Sequence, residues 1–278
     1  EEIPLSLKCS RCGQIFSPAR QKRFSAPCPF CGEEQGHSIG AGRELYIQSM
    51  EADKGVISWK YQLFATFLKP TKNVGTSEHF ARHGILTLNL ISSPGAGKTS
   101  LLERTLADLS PEFRMAVIEG DLQTDNDAQR VAATGAQAVQ INTEGGCHLD
   151  SNLVMEALGA LDLSEIDILF IENVGNLVCP VEFDCGEDAK IALLSLPEGD
   201  DKPEKYPFLF NRASAMSLNK IDLLPYLDFD METAARHARH LNAALPVFKI
   251  SCRTGDGLEE WYDWLRQAVR AKRSAPNE

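Results

Sequence analysis

The chain has 278 residues, 43% of them apolar and 24% charged, with a net charge of −11. That length accommodates one large domain and an appendage, and the acidic balance argues against a nucleic-acid partner, which would need a basic face. No run is long and apolar enough to span a membrane and no signal-peptide pattern is present, so a cytoplasmic location is expected. Four of the eight cysteines fall in two C-x-x-C pairs. This usage fits metal binding in a reducing compartment better than a disulfide framework. Because the sequence starts at Glu1 rather than Met, a processed or excised piece of a longer protein is expected.

Residues 1–53 read as a small module. Glu2 to Leu7 alternates like a strand and leads into Cys9 and Cys12; Cys28 and Cys31 follow, and Arg43 to Met50 reads as a return strand. The spacing C-x2-C-x15-C-x2-C is a zinc signature, each knuckle bringing two thiolates to one tetrahedral centre. A module this small cannot bury enough apolar area to fold unaided, and coordination worth about 10–16 kcal/mol would supply the difference. Cys9, Cys12, Cys28 and Cys31 are therefore expected to hold a structural Zn²⁺. Residues 54–84 read as a linker: Trp59 to Leu68 is compatible with strand or helix, and Pro70 to Ser77 has linker composition.

From Ile85 to about residue 273, strand and helix patterns alternate, with a short tail at 274–278. Expected strands are Leu86–Ile91, Met115–Glu119, Ala138–Ile141, Ile168–Glu172, Ile191–Leu196, Ala215–Leu218 and Val247–Ile250, several of them continuous apolar runs typical of parallel strands covered on both faces. Helices are expected at Thr99–Leu109 and Leu258–Arg270. The fold class is thus α/β: a P-loop nucleotide-binding domain with a mainly parallel, doubly wound sheet, ligands lying at the strands' C-terminal ends.

The first strand runs into Ser92-Ser93-Pro94-Gly95-Ala96-Gly97-Lys98-Thr99-Ser100. Ser93 to Ser100 wrap a phosphate with the backbone N–H groups of all but Pro94, which stiffens the entry; Lys98 reaches the outer phosphates and Thr99 offers a hydroxyl to Mg²⁺. Ser92 stands where the common P-loop pattern has glycine. After a later strand comes Asn219-Lys220-Ile221-Asp222: the Asp222 carboxylate suits the guanine N1–H and N2–H₂ donors, and the Asn219 amide suits the O6/N7 edge. An adenine would leave the carboxylate unpaired at a cost of about 1–3 kcal/mol. Ser251 and Cys252 close the pocket at the next strand end, so the nucleotide is read as GTP or GDP. Asp121 and Glu172 end two other strands and are assigned to Mg²⁺, alongside Lys98 as the catalytic set. Asp125 and Asp127 suit either γ-phosphate sensing or helix capping.

Cys147 and His148 follow one strand and Cys179 follows the next in sequence; loops on neighbouring strands would bring them together. Two thiolates and an imidazole suit Zn²⁺ or Ni²⁺ with coordination left incomplete, which a second copy of the chain could complete. Cys185 and Cys252 are lesser candidates, as are His37, His237 and His240.

Residues 85–265 resemble the hydrogenase nickel-incorporation GTPases, the HypB family. The resemblance is carried by Asn89 to Thr99, Glu119-Gly120-Asp121-Leu122-Gln123-Thr124, Gly146-Cys147-His148-Leu149, Ile171 to Pro180 and Asp201 to Pro207, and Ser92 is a feature of that family. Cys185 departs from the family's usual Phe-Asp-Leu-Gly-Glu. The resemblance implies a GTP-dependent homodimer that hydrolyses GTP slowly, holds metal through Cys147, His148 and Cys179 between subunits, and passes nickel towards the hydrogenase large subunit. The stretch Glu172-Asn173-Val174-Gly175-Asn176 favours hydrogenase over urease maturation. Residues 1–53 resemble the zinc-binding half of the partner nickel chaperone, the HypA family, through Glu2-Ile3-Pro4, both C-x-x-C pairs and Gly42 to Ile47. The chain then looks like a fusion of two cooperating factors. An alternative reading keeps the GTPase but makes the zinc module mainly a partner-docking element and the second metal site incidental.

Overall fold

The computed structural model describes residues 6–8, 12, 14–16, 29–31, 38–41, 50–53, 56–59, 75–121, 130–131, 133–143 and 145–274, and divides the chain into two units, Glu1–Phe67 and Leu68–Glu278. In the first unit, β1 (Ser6–Lys8) pairs antiparallel with both β2 (Ile15–Phe16) and β3 (Ser38–Ala41). A hairpin follows, β4 (Met50–Asp53) on β5 (Val56–Trp59), with Met50 opposite Trp59. This hairpin crosses the boundary expected after residue 53. Of the expected zinc ligands, Cys12 and Cys31 are described, while Cys9, Cys28 and His37 lie outside the described residues, as does most of the expected return strand.

In the second unit a seven-stranded parallel sheet forms. Its strands are β6 (Leu86–Ser92), β7 (Met115–Asp121), β8 (Gln137–Asn142), β9 (Ile168–Glu172), β10 (Ala189–Ser195), β11 (Ala215–Asn219) and β12 (Val247–Lys249), in the order β12-β11-β10-β6-β9-β7-β8. Each expected strand is present within two residues. Every residue of β6, β9 and β11 is buried, because helices cover both faces. On one face α2 (Lys98–Leu109) lays Leu101, Leu102, Leu106 and Leu109 on the sheet beside the last helix, α8 (Leu258–Ser274). Trp261 of α8 donates its indole N–H to Thr105 Oγ1 at 3.0 Å, tying the two helices together. The other face carries two separate apolar clusters, one under α3 (Ser151–Leu158), the second, past the single-turn helices α4 (Cys179–Glu182) and α5 (Lys202–Lys205), under α6 (Pro207–Arg212) and α7 (Met231–Leu241).

The segment expected to be linker contains more than linker. Besides β5, it holds α1 (Thr76–His83), entered at Gly75 and stopped at Gly84 with φ 65°, whose Phe80 packs into the α3 cluster. Its eight residues are mostly polar, which hides the one buried aromatic that anchors them. Among the described residues no helix is long and apolar enough to cross a membrane.

The strand order positions the chemistry. The ends of β6, β7, β8, β9, β11 and β12 all open on one edge of the sheet, where ligands of doubly wound folds bind. One expectation is corrected here. β8 and β9, which lead to Cys147 and Cys179, are not neighbours: β7 lies between them, hydrogen-bonded to both.

Candidate functional site

The turn after β6 is a phosphate cradle. Gly95 and Gly97 sit at φ 74° and 100°, a region that favours glycine, and Gly97 opens α2 so that the helix's first N–H groups face the loop. Ser92 is fully buried; its hydroxyl donates to Ser93 O at 2.7 Å and accepts from Lys98 Nζ at 3.1 Å. The residue that replaces the usual glycine therefore holds the lysine. Thr99 donates its hydroxyl to Glu172 Oε1 at 2.9 Å, so the magnesium-type hydroxyl and the carboxylate ending β9 converge, both buried. Asp121 ends β7; its side chain lies outside the described atoms. Glu119, two residues earlier, is buried and stands in register with Glu172, a second carboxylate to which the sequence reading gave no role. Thr99 and Glu172 are suitably placed to hold Mg²⁺ beside a phosphate. Asp125 and Asp127 fall outside the described residues.

At the base end, Asp222 lies in a 3-10 turn (Ile221–Tyr226) and its Oδ1 accepts from Ser251 Oγ at 2.7 Å. Asn219 also ties the base end to the phosphate loop. Its Nδ2 donates to Ala96 O at 3.0 Å, while its Oδ1 accepts from Lys220 N at 2.8 Å and from the Cys252 thiol at 3.5 Å. Lys220, at φ 64°, donates its ammonium to Gly95 O at 2.7 Å. The pair clamps the phosphate loop from above, and a side chain on Gly97 would strike Asn219 Nδ2 at 2.5 Å. Burial pushes the Cys252 thiol up to about 11, keeping it a neutral donor to Asn219, and it belongs to no metal-type cluster among the described residues.

Cys147, His148 and Cys179 do come together: their ligand atoms all lie within 4.8 Å of one another. Cys147 Sγ is 3.5 Å from His148 Nδ1. Bonds of about 2.3 Å to sulfur and about 2.0 Å to nitrogen at a tetrahedral angle require about 3.5 Å between such atoms, so the pair is spaced to share one ion. The imidazole stacks on Phe183, ring centroids 3.5 Å apart, and burial lowers its pKa, which favours the neutral, ligating form. Burial and the neighbouring Cys179 push the Cys147 thiol up to about 11. Two sulfurs and an imidazole fit Zn²⁺ or Ni²⁺ and leave a coordination position open.

What reaches across β7 is a set of bonds between the two loops. Asn176 Nδ2 donates to Cys147 O at 3.3 Å, and Leu149 donates its N–H to Asn173 Oδ1 at 3.0 Å. Leu149 seats on Gly120, where a Cβ would meet its side chain at 2.7 Å. Gly175 seats on the phosphate loop in the same way, a Cβ there meeting Pro94 Cα and N at 2.9 Å. These positioning residues were missed from sequence, where only the glycines and asparagines in apolar surroundings hinted at them. Cys185 takes no part in the cluster: it is fully buried, with its thiol donating to Leu149 O at 3.4 Å. His237 lies 3.6 Å from Glu204, and neither it nor His240 belongs to a metal-type cluster among the described residues.

The nucleotide-binding domain model of the CobW/HypB/UreG proteins matches residues 86–249. Over 188 residues the chain is 55% identical to the hydrogenase maturation factor HypB of Azotobacter vinelandii, covering 68% of this chain and 62% of that protein. It thus spans less than two thirds of that relative's length. The crystal structure of HypB from Helicobacter pylori in complex with nickel is similar with a TM-score of 0.66 at 39% identity, covering 70% of this chain and 92% of that one. Hydrogenase maturation factor HypB from Archaeoglobus fulgidus gives a TM-score of 0.66 at 36% identity, covering 69% and 94%. With its phosphate loop, parallel sheet and Cys–His–Cys cluster in place, the chain belongs to the HypB family.

Proposed function

We propose that this chain is a GTP-hydrolysing metallochaperone that carries Ni²⁺ during hydrogenase maturation, working as a cytoplasmic homodimer. One observation carries the reading. Glu172 accepts from Thr99 at the phosphate loop, and seven residues on the same loop presents Cys179 to Cys147 and His148, within 4.8 Å. Lys98, the cradle N–H groups and the Thr99–Glu172 pair would stabilise charge on the transferred phosphoryl group with Mg²⁺ present; hydrolysis needs no nucleophilic side chain. Asp121 would complete the acidic set, and Asp222 with Ser251 would select guanine. Cys147, His148 and Cys179 would hold nickel or zinc as cargo at an open site, and a loop shift on hydrolysis would alter their spacing. Cys9, Cys12, Cys28 and Cys31 would hold a structural zinc in the first unit, a surface for the nickel chaperone. The hydrogenase large subunit would be the recipient.

The test is the double variant Cys147→Ala/His148→Ala, assayed for Ni²⁺ and Zn²⁺ by atomic absorption and for GDP affinity by titration. Metal beyond the N-terminal zinc should vanish while nucleotide affinity stays near the native value. Full occupancy in the double variant would refute the site.

A further inference from the structure

The two halves of the metal cluster are rooted in different parts of the core. Cys179 opens α4 (Cys179–Glu182), whose Val181 is buried with Leu177 in the cluster under α6 and α7. Cys147 and His148 precede Leu149, which is buried in the other cluster with Ile118 and Ile171. Between them passes the segment that touches the phosphate loop: Glu172, bonded to Thr99, then Asn173, then Gly175 against Pro94.

Asn173 is buried at 1% exposure. Its Oδ1 accepts two backbone donors, Leu149 N–H and Val174 N–H, each at 3.0 Å, and its Nδ2 donates to Asn89 Oδ1 at 3.2 Å. The two N–H donors fix which end of the amide is oxygen, and that in turn fixes Asn89. Asn89 then carries a fully buried Nδ2 with no partner among the described residues. Such a pair between apolar strands costs stability rather than adding it, and calls for another purpose.

We infer that Asn173 is the positioning residue through which nucleotide state moves Cys147 and His148 against Cys179. This rests on the coupled reading proposed above. A shift of the Glu172–Gly175 segment carries the Asn173 amide, and the amide carries the Leu149 N–H with the residue before it. Cys179, held by the other cluster, does not follow to the same extent. Asn176 differs in kind. Its bond to Cys147 O is exposed and its Oδ1 accepts from Val178 N–H at 2.8 Å, so it sets the resting shape of the cluster without touching the phosphate side.

The test measures Zn²⁺ affinity by competition with a chromogenic chelator, the N-terminal cysteines filled beforehand, in GDP and in a non-hydrolysable GTP analogue. The native chain should show an affinity ratio between the two states in the range of about 5- to 150-fold typical of coupled sites. Asn173→Ala should bring that ratio to unity; Asn176→Ala should weaken binding in both states and keep the native ratio. A native ratio in Asn173→Ala overturns the inference. A ratio of unity in the native chain instead overturns the coupled reading beneath it. Hydrogen exchange at the Leu149 amide of the native chain gives an answer even where the variant fails to fold. Its protection should differ between the nucleotide states, and equal protection overturns the inference.

Discussion

Replacing Gly175 by alanine probes the seam between phosphate loop and metal loop directly. The new methyl would stand 2.8 Å from Pro94 Cγ and 2.9 Å from both Pro94 Cα and N. Real Cβ contacts do not come this close, and two of the three atoms are backbone in a loop pinned by Asn219 and Lys220, so Pro94 cannot step aside. Overpacking of this kind costs about 1–3 kcal/mol. If the strain is relieved by lifting the Glu172 segment from the phosphate loop, the loss falls on the phosphate-bound state. At about 1.4 kcal/mol per decade, kcat/KM for GTP should then drop by roughly 5- to 150-fold. Paid in the ground state, the same cost lowers Tm by about 2–12 °C for a unit of this size. Phosphate release under steady-state conditions, beside a thermal melt, measures both. Turnover within about twofold of native, accompanied by an unchanged melt, would show that this contact carries no strain and that Gly175 is not seated as described.

Two further outcomes concern protons. Metal capture must strip the Cys147 thiol, raised to about 11, so Zn²⁺ affinity of the Cys147–His148–Cys179 site should climb with pH by up to about tenfold per unit for each thiol ionised. Burial favours neutral His148, so its own deprotonation, which would add to the same slope, contributes little; a flat affinity profile by chelator competition between about pH 6.5 and 8 would contradict the thiolate assignment. At the far end of the sheet, the Arg114 guanidinium, with Arg273, holds the Asp167 carboxyl down at about 2. A depressed carboxyl contributes stability that is full above its unfolded value of about 3.9 and fades as pH falls towards 2. Asp167→Asn should flatten the loss of Tm across that window, and an unaltered acid slope would rule the ion pair out as its source.

The strands could be read off the sequence because residues covered on both faces leave apolar runs such as Met115–Ile118 and Ile168–Ile171, and the phosphate loop because its glycines are a local necessity. Lys98 and Thr99 follow from adjacency, and Glu172 from its place at the end of a strand. Pairing order was not readable in the same way. Nothing in Gln137–Asn142 says that Met115–Asp121 separates it from Ile168–Glu172, since both neighbours present similar apolar sides. The second role of Asn219 was hidden for a related reason: its amide has a partner more than a hundred residues away in Ala96, a contact that no spacing reveals. Asn173, Gly175 and Gly120 matter through what they touch, and α1 escaped notice because Phe80 is its one large buried side chain.

That β7 separates the strands bearing the metal ligands bears on which ions the pocket can accept. Adjacent strands sit about 4.8 Å apart, so the roots of β8 and β9 are held roughly 9.6 Å from each other by main-chain bonds to the strand between them. The ligand atoms nonetheless lie within 4.8 Å of one another, so it is the loops that close the rest of that gap and set the bite. Retuning the pocket for an ion of different radius is then a matter of loop sequence and loop position, with the sheet left as a fixed base.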